Sequence, residues 1–298
     1  MKKILATAVT VLMLAATMAS CASSGSADAI DDYTPENLTT EANGETFTYE
    51  SAAGDAVILA NFESKKTHNV EVTVPATVEL EGTTRRVIGI GDEAFKGLSS
   101  ITKVTLAASV TSIGDFAFAD CIYLESVVFE EGSQLATVGE AAFYQCTALK
   151  SIDFSDTRLK TLDKSAFDSC TALETVALGD TLTSVGKAAF YGCSALKALT
   201  LPDTVTTVAE LAFFGCSSME TLVMSNGITE MTDRALLLTK DAYLADKVDL
   251  TKLNEDTFAY KLVAGIVYGE TTDDVESESE SESATESESE SESVTDAA

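Results

Sequence analysis

The sequence predicts a β-rich repeat solenoid, in which short units stack on one another around a continuous core. Three observations carry this. An Ala-Phe dipeptide recurs six times, with Phe at positions 95, 118, 143, 167, 190 and 213, so the intervals are 23, 25, 24, 23 and 23 residues. Three positions after each Phe comes a small or apolar residue: Leu98, then Cys121, Cys146, Cys170, Cys193 and Cys216. Each unit then continues as Leu-x-x-Val-x-Leu, whose last two apolar positions fall on the same side of a strand. A fixed period of this size marks a repeat architecture. One unit cannot bury its apolar face alone, but stacked units share a core.

The elements follow in order. The strand positions are Ile101/Val104/Leu106, Leu124/Val127/Phe129, Leu149/Ile152/Phe154, Leu173/Val176/Leu178, Leu196/Leu199/Leu201 and Met219/Leu222/Met224. A short Val-Thr-Ser-Ile-Gly-like run follows, as in Val110 to Gly114 and Leu182 to Gly186. Equivalent residues stack rung on rung at about 4.8 Å, so six rungs give a core roughly 25–30 Å long. The two longer units place their extra residues after the strand, at Glu130 to Gln134 and Ser155 to Arg158, where they form surface loops. A degenerate seventh unit follows at Ile228 to Met231, with Leu236 in place of the Phe.

End rungs would expose apolar surface and open strand edges, so caps are expected. Upstream, Phe47 to Tyr49, Val57 to Leu59 and Val70 to Pro75 alternate like strands, and Glu79 to Arg86 reads as a hairpin around Gly82. Downstream, Asn254 is placed to cap a helix: Glu255 and Asp256 suit its first turn, and Phe258 and Leu262 share a face. The folded part is therefore one domain, residues 46–268.

These units resemble the BspA-like (Treponema-type) leucine-rich repeats. The resemblance is carried by Ser109 to Phe118 (SVTSIGDFAF) with Cys121, and by Phe190 to Leu201 (FYGCSALKALTL) followed by Pro202. It covers roughly residues 70–236. It implies a right-handed leucine-rich repeat superhelix with one parallel strand per 23–25-residue unit, joined by short helical or 3-10 turns. It also implies a bacterial surface protein of the kind often proposed as an adhesin.

Both ends differ from the middle. Met1-Lys2-Lys3 is a short basic start, and Ile4 to Met18 is an uncharged, mostly apolar run. Fifteen residues fall short of the roughly 20 that span a bilayer, so residues 1–20 read as a secretory signal. The small residues around Cys21 resemble a bacterial lipobox, which makes Cys21 a lipidation site and the membrane contact a lipid alone. Met18 departs from the Leu usual three positions earlier, and ordinary cleavage after Ala22 with free secretion is the alternative. Residues 21–45, rich in Ala, Ser, Thr and acids, read as a flexible tether. From residue 269 to 298 there are twelve acids and no base, mostly alternating Ser and Glu, which reads as a disordered acidic tail.

Charge excludes several functions. Of the 298 residues, 48 are Asp or Glu and 19 are Lys or Arg, a net charge of −29. A nucleic-acid binder needs clustered Lys and Arg for phosphates, so nucleic acid is not the expected partner. His68 is the single histidine, which excludes zinc-hydrolase sites built on two or more. No nucleophile elbow, phosphate loop, dinucleotide fingerprint or calcium loop occurs. No catalytic residues, metal ligands or cofactor are expected, and the chain is not expected to be an enzyme.

Candidate binding residues come from reading columns down the stack. The residue after the first strand Leu runs Thr102, Glu125, Lys150, Glu174, Lys197, Glu220. Its alternating sign makes each pair of adjacent rungs attractive, so it reads as a register-setting ladder, with a ligand role as the alternative. The next two columns, Lys103 to Thr221 and Thr105 to Val223, are small and mostly neutral. The five repeat cysteines occupy one slot each, which favours a buried thiol column over disulfides; with no Cys-x-x-Cys, a zinc site is weaker still. The residue after each Phe gives Tyr144, Tyr191 and Phe214 among Lys96, Ala119 and Asp168. These three aromatics are either a ridge that contacts ligand or half-buried packing between units. His68 with Lys65 and Lys66 reads as a solvated basic loop.

The expected function is a non-enzymatic binding module on the bacterial cell envelope, taking an extracellular protein or glycan ligand. The alternative is an envelope spacer or assembly subunit.

Overall fold

The computed structural model describes residues 38–231, 233–239, 242–243 and 248–252, with Asn254, Ala259 and Val263. The chain opens on an antiparallel pair, β1 (Leu38–Ala42) and β2 (Glu45–Ser51). Their turn is Asn43-Gly44, at φ of 55° and 83°. Asn-Gly is the pair that tolerates two left-handed residues in a two-residue hairpin. β2 pairs with β3 (Ala56–Ser64), which begins the parallel stack. β4 (Val70–Val74) opens a second sheet. β5 (Thr77–Leu80) and β6 (Thr83–Ile90) form the hairpin expected around Gly82.

Leu38–Ala42 falls in the segment read from sequence as tether, so the folded part starts earlier than residue 46. Only Leu38 of this strand is buried. An edge strand with one buried side chain among Thr and Glu gives almost no apolar signal.

Each later turn carries two strands where the repeat resemblance implies one. The expected strand is present in every unit as β7 (Ile101–Leu106), β9 (Ser126–Phe129), β11 (Ser151–Asp153), β13 (Thr175–Ala177), β15 (Ala198–Thr200) and β17 (Thr221–Val223). With β4 these form a seven-stranded parallel sheet. The Ser-Ile run supplies the second: β8 (Ser112–Ile113), β10 (Thr137–Val138), β12 (Thr161–Leu162), β14 (Ser184–Val185), β16 (Thr207–Val208) and β18 (Glu230–Met231). These extend the sheet of β1, β2, β3 and β6. A two-residue strand has too little length to show a period of two. The extra residues after β9 and β11 spill out as loops, with Gly132 at φ 77°.

The third side of each turn is the Phe-Cys arm, and it is not helical. Residues two before and two after each Phe are left-handed: Phe116 and Asp120 (φ 55° and 61°), Ala141 and Gln145 (51° and 56°), Ser165 and Ser169 (55° and 62°). A left-handed residue every four positions prevents an α-helix. It also aims alternate N–H groups at the next rung, as in Phe116 N to Glu140 O, Phe118 N to Ala142 O and Asp120 N to Tyr144 O, all 2.8 Å. Those inter-rung bonds offset the left-handed strain. Gly215 holds one such position at φ 81°, where a Cβ would come 3.1 Å from Gly192 Cα.

The core is a stack of phenylalanines. Phe62 of β3 starts it, followed by Phe95, Phe118, Phe143, Phe167, Phe190 and Phe213 at centroid spacings of 4.8 to 6.1 Å. All seven are essentially fully buried. The alanine before each repeat Phe is buried as well.

The seventh unit closes the stack. Leu236 and Ala235 take the Phe and Ala places with 0% exposure, in a 3-10 turn (Asp233–Leu236). A small antiparallel pair follows, β19 (Leu237–Thr239) and β20 (Ala242–Tyr243). Val248 then bridges Leu222 in parallel, completing the turn. Asn226 secures it, donating from Nδ2 to Lys252 O (3.2 Å) and accepting at Oδ1 from Asn254 N (2.8 Å). Ala259 and Val263, four apart, are buried. The helix expected after Asn254 otherwise lies outside the described residues, as do the signal, Cys21, residues 22–37 and the acidic tail.

Candidate binding surface

The five repeat cysteines lie inside the arms, not at the surface. Each is free and buried, and each Sγ donates to the carbonyl of the Phe one rung back. The distances are 3.0 Å for Cys121 to Phe95, 3.1 for Cys146 to Phe118, 3.0 for Cys170 to Phe143, 3.1 for Cys193 to Phe167 and 3.2 for Cys216 to Phe190. Burial pushes Cys121 and Cys216 up to about 12, and holds Cys146, Cys170 and Cys193 well above the ordinary value of 9.0. Thiols kept protonated and inaccessible are neither nucleophiles nor metal ligands. Among the described residues, no group of three or more His, Cys, Asp or Glu is placed to hold a metal ion.

The charge column on the seven-stranded sheet is a ladder of ion pairs. Lys150 Nζ lies 3.1 Å from Glu125 and Lys197 Nζ 2.7 Å from Glu174, with all four side chains more than half exposed. Lys197 holds the Glu174 carboxyl below its usual range, chiefly through their hydrogen bond, and Glu174 raises Lys197 in turn.

A second ladder, unnoticed in the sequence, runs three residues before each Phe: Asp92, Asp115, Glu140, Lys164, Lys187, Glu210. Lys164 pairs with Glu140 at 2.5 Å, Lys187 with Glu210 at 2.8 Å, and Arg234 with Glu210 at 2.7 Å. In its acidic half, Asp92 Oδ1 accepts from Asp115 N, and Asp115 Oδ1 from Glu140 N, both 2.8 Å. The same column reading applied to that slot would have found it. Asp163 stands beside this ladder. Partial burial, then Asp115 and Glu140, raise its carboxyl above the ordinary value.

Tyr144, Tyr191 and Phe214 lie on the arm side, half-buried. Tyr191 and Phe214 stack on each other at 5.0 Å and 15°. Asp168 occupies the rung between Tyr144 and Tyr191, so the column is interrupted. Tyr144 Oη accepts from Gln145 Nε2 at 2.9 Å. The Lys65 to His68 loop is exposed: Lys66 pairs with Glu45 at 2.7 Å, and Thr67 Oγ1 meets His68 Nδ1 at 2.8 Å.

A different cluster stands out by exposure. Among the described residues, the large apolar side chains most open to solvent are Tyr123 (57%), Val128 (41%) and Ile122 (39%), all in the second repeat. The two positions after the Cys hold small residues in the other units, such as Thr147-Ala148, Ser194-Ala195 and Ser217-Ser218. Ile122-Tyr123 breaks that rule, and reading the column would have shown it. Further along the sheet, Thr175, Ala177, Ala198 and Thr200 line a shallow groove of about 410 Å³.

A parallel stack of Phe- and Leu-cored turns with a continuous strand sheet defines a leucine-rich repeat solenoid. Residues 88–178 and 136–264 match the BspA type leucine rich repeat region, in six copies. The chain belongs to that family. Among solved structures it is similar to a Treponema pallidum leucine-rich repeat protein, at 28% identity and a TM-score of 0.53, over 60% of this chain and 82% of that one. A leucine-rich cell surface protein of Faecalibacterium prausnitzii matches at 25% and 0.45, over 62% and 54%. A leucine-rich repeat protein of Bacteroides ovatus matches at 24% and 0.46, over 70% and 57%. No curated protein matches the chain. Membership of this family suggests a protein-interaction module at an extracellular or surface location. Among the described residues, no helix is long and apolar enough to cross a membrane.

Proposed function

We propose that the chain is an exported, lipid-anchored binding module of the bacterial cell surface, without catalysis of its own, that engages an extracellular protein or glycan. The observation that carries this is the Ile122-Tyr123 knob, where a rigid stack presents exposed apolar side chains in a column that is otherwise small. Tyrosine and large aliphatic side chains are what interface cores use. Tyr144, Tyr191 and Phe214 form a second candidate contact on the arm side. Cys21 becomes the lipidated N-terminus once residues 1–20 are removed.

A screen of extracellular matrix proteins and a glycan array, probed with residues 22–298, tests the binding reading. Saturable binding that falls about tenfold with Ile122→Ser/Tyr123→Ala, a loss typical of interface anchors, supports the knob. Loss only with Tyr144→Ala, Tyr191→Ala and Phe214→Ala would move the site to the arm. Absence of saturable binding throughout would sink the proposal. Labelling cells with a fatty-acid analogue tests Cys21, and an unlabelled protein would leave it secreted.

A further inference from the structure

We propose that the outer face of the seven-stranded sheet is a self-complementary interface, which pairs two copies of this chain face to face with their stacks running in opposite directions. The inference does not rest on the ligand reading and uses neither Ile122 nor Tyr123.

The face is three columns wide, and rungs 1 to 6 are β7, β9, β11, β13, β15 and β17. The ladder column is Thr102, Glu125, Lys150, Glu174, Lys197, Glu220, and the other two run from Lys103 to Thr221 and from Thr105 to Val223. The outward residues of the central strands are exposed, while Ile152, Val176 and Leu199 between them point inward. Both sheets are hydrogen-bonded rung to rung at the same spacing of about 4.8 Å, so neither bends far into a hollow.

Consider a two-fold axis parallel to the strands. Each column then faces itself and rung n meets rung 7 − n. Glu125 meets Lys197 of the second copy, and Lys150 meets its Glu174. Because the signs alternate and the paired rungs differ in parity, both contacts are attractive. Each adds to a pair already made within the chain, giving a closed set of four charges. Thr102 meets Glu220, Lys103 meets Thr221 and Asp153 meets Ala177, so no directly facing residues carry like charge. The Asp153 carboxylate already accepts from Ser155 N at 2.9 Å and Ser155 Oγ at 2.6 Å. Ser126 and Ser151 meet Ala198 and Thr175, small enough for two sheets to approach to about 10 Å. Val128, 41% exposed, meets Thr200 at the shallow groove of rungs 4 and 5. With the axis along the stack instead, four of the five ladder charges would face neutral residues.

The contact is small, roughly 300–400 Å² per copy from six rungs at about 4.8 Å and three columns, against about 800 Å² in a standard interface. Association is therefore weak and concentration-dependent, of the kind that matters where copies are crowded on a surface.

Sedimentation equilibrium of residues 22–298, which retain every described element, tests this up to about 1 mM, a range suited to so small an interface. The wild-type chain is expected to dimerise at low salt. Lys150→Glu/Lys197→Glu makes the ladder acidic and Glu125→Lys/Glu174→Lys makes it basic; each alone is expected to lose dimerisation, while an equimolar mixture of the two associates again and parts in high salt. Val128→Glu, at an exposed position, is expected to weaken the wild-type dimer about tenfold, as a charge placed in an apolar contact does. Unchanged denaturation midpoints establish that the variants are folded. A wild-type chain monomeric at every concentration, or a mixture no more associated than its components, would overturn the proposal.

Discussion

The thiol and phenylalanine columns inside the arms and the Glu-Lys ladder on the sheet repeat on the same rungs, at the same period, with opposite physical consequences. Inside, every rung repeats one chemistry, and identical neighbours stack because apolar surface and a shared hydrogen bond reward similarity. On the outer face of the sheet, adjacent rungs of the ladder differ in sign, because identical charges there would repel. Periodic identity therefore marks what holds the stack, and periodic alternation marks what aligns it.

The largest expected effect comes from breaking the inner column. Phe143 sits between Phe118 and Phe167 at 5.2 and 5.1 Å with 0% exposure. Phe143→Ala should cost about 3–5 kcal/mol, because rungs hydrogen-bonded on both sides cannot collapse into the void. Urea denaturation followed by circular dichroism measures it. A loss no larger than that of a surface substitution would mean that the stack is not the core.

The second effect is alkaline. The folded state holds the five thiols above their ordinary value of 9.0, so above that pH the unfolded chain has released protons that the folded chain retains. The stability they contribute is complete below about pH 9 and is lost as pH rises toward the folded values, by up to about 1.4 kcal/mol per thiol per pH unit. Denaturation midpoints should be level from pH 7 to 8 and fall above 9, less steeply after Cys170→Ala. A thiol reagent at pH 8 should leave all five unreacted until denaturant is added.

Far more of the fold than of the binding surface was legible in the sequence. Phe spacing and the Leu-x-x-Val-x-Leu strand located the six repeat rungs, the surface loops and the seventh turn, while β4 and Phe62, which open the stack, carry neither motif. The two-residue strands were not legible, since no period shows over two residues, and β1 was hidden because its edge position buries only Leu38. Left-handed Phe116, Ala141 and Ser165 carry no residue signature, because their conformation is imposed by bonds to the next rung. The knob at Ile122-Tyr123 stands in the two positions after the Cys, where small residues in the other units leave it as the exception.

Two smaller effects sharpen the outer half of the comparison. Reversing Lys150 and Lys197 to Glu should barely move the denaturation midpoint of the single chain, since exposed pairs are screened by solvent and salt. A large loss would promote the ladder from aligning the rungs to holding them. Smallest is Asp163→Asn. The carboxyl is raised by partial burial and by Asp115 and Glu140, so its charge is disfavoured at neutral pH. That cost is absent below the ordinary value of 3.8 and grows as pH rises through the folded value. The variant should therefore be slightly more stable at pH 7, by a few tenths of a kcal/mol at most, and indistinguishable near pH 3.

By itself the sequence determined the six repeat rungs, the core columns and the sign pattern of the sheet ladder, because each is a one-dimensional periodicity that stacking converts directly into neighbours. Only the tertiary structure decided which columns face water, which neighbours pair across rungs, and where alternate residues turn left-handed. Those depend on backbone bonds between units some 23 residues apart, which no local preference encodes.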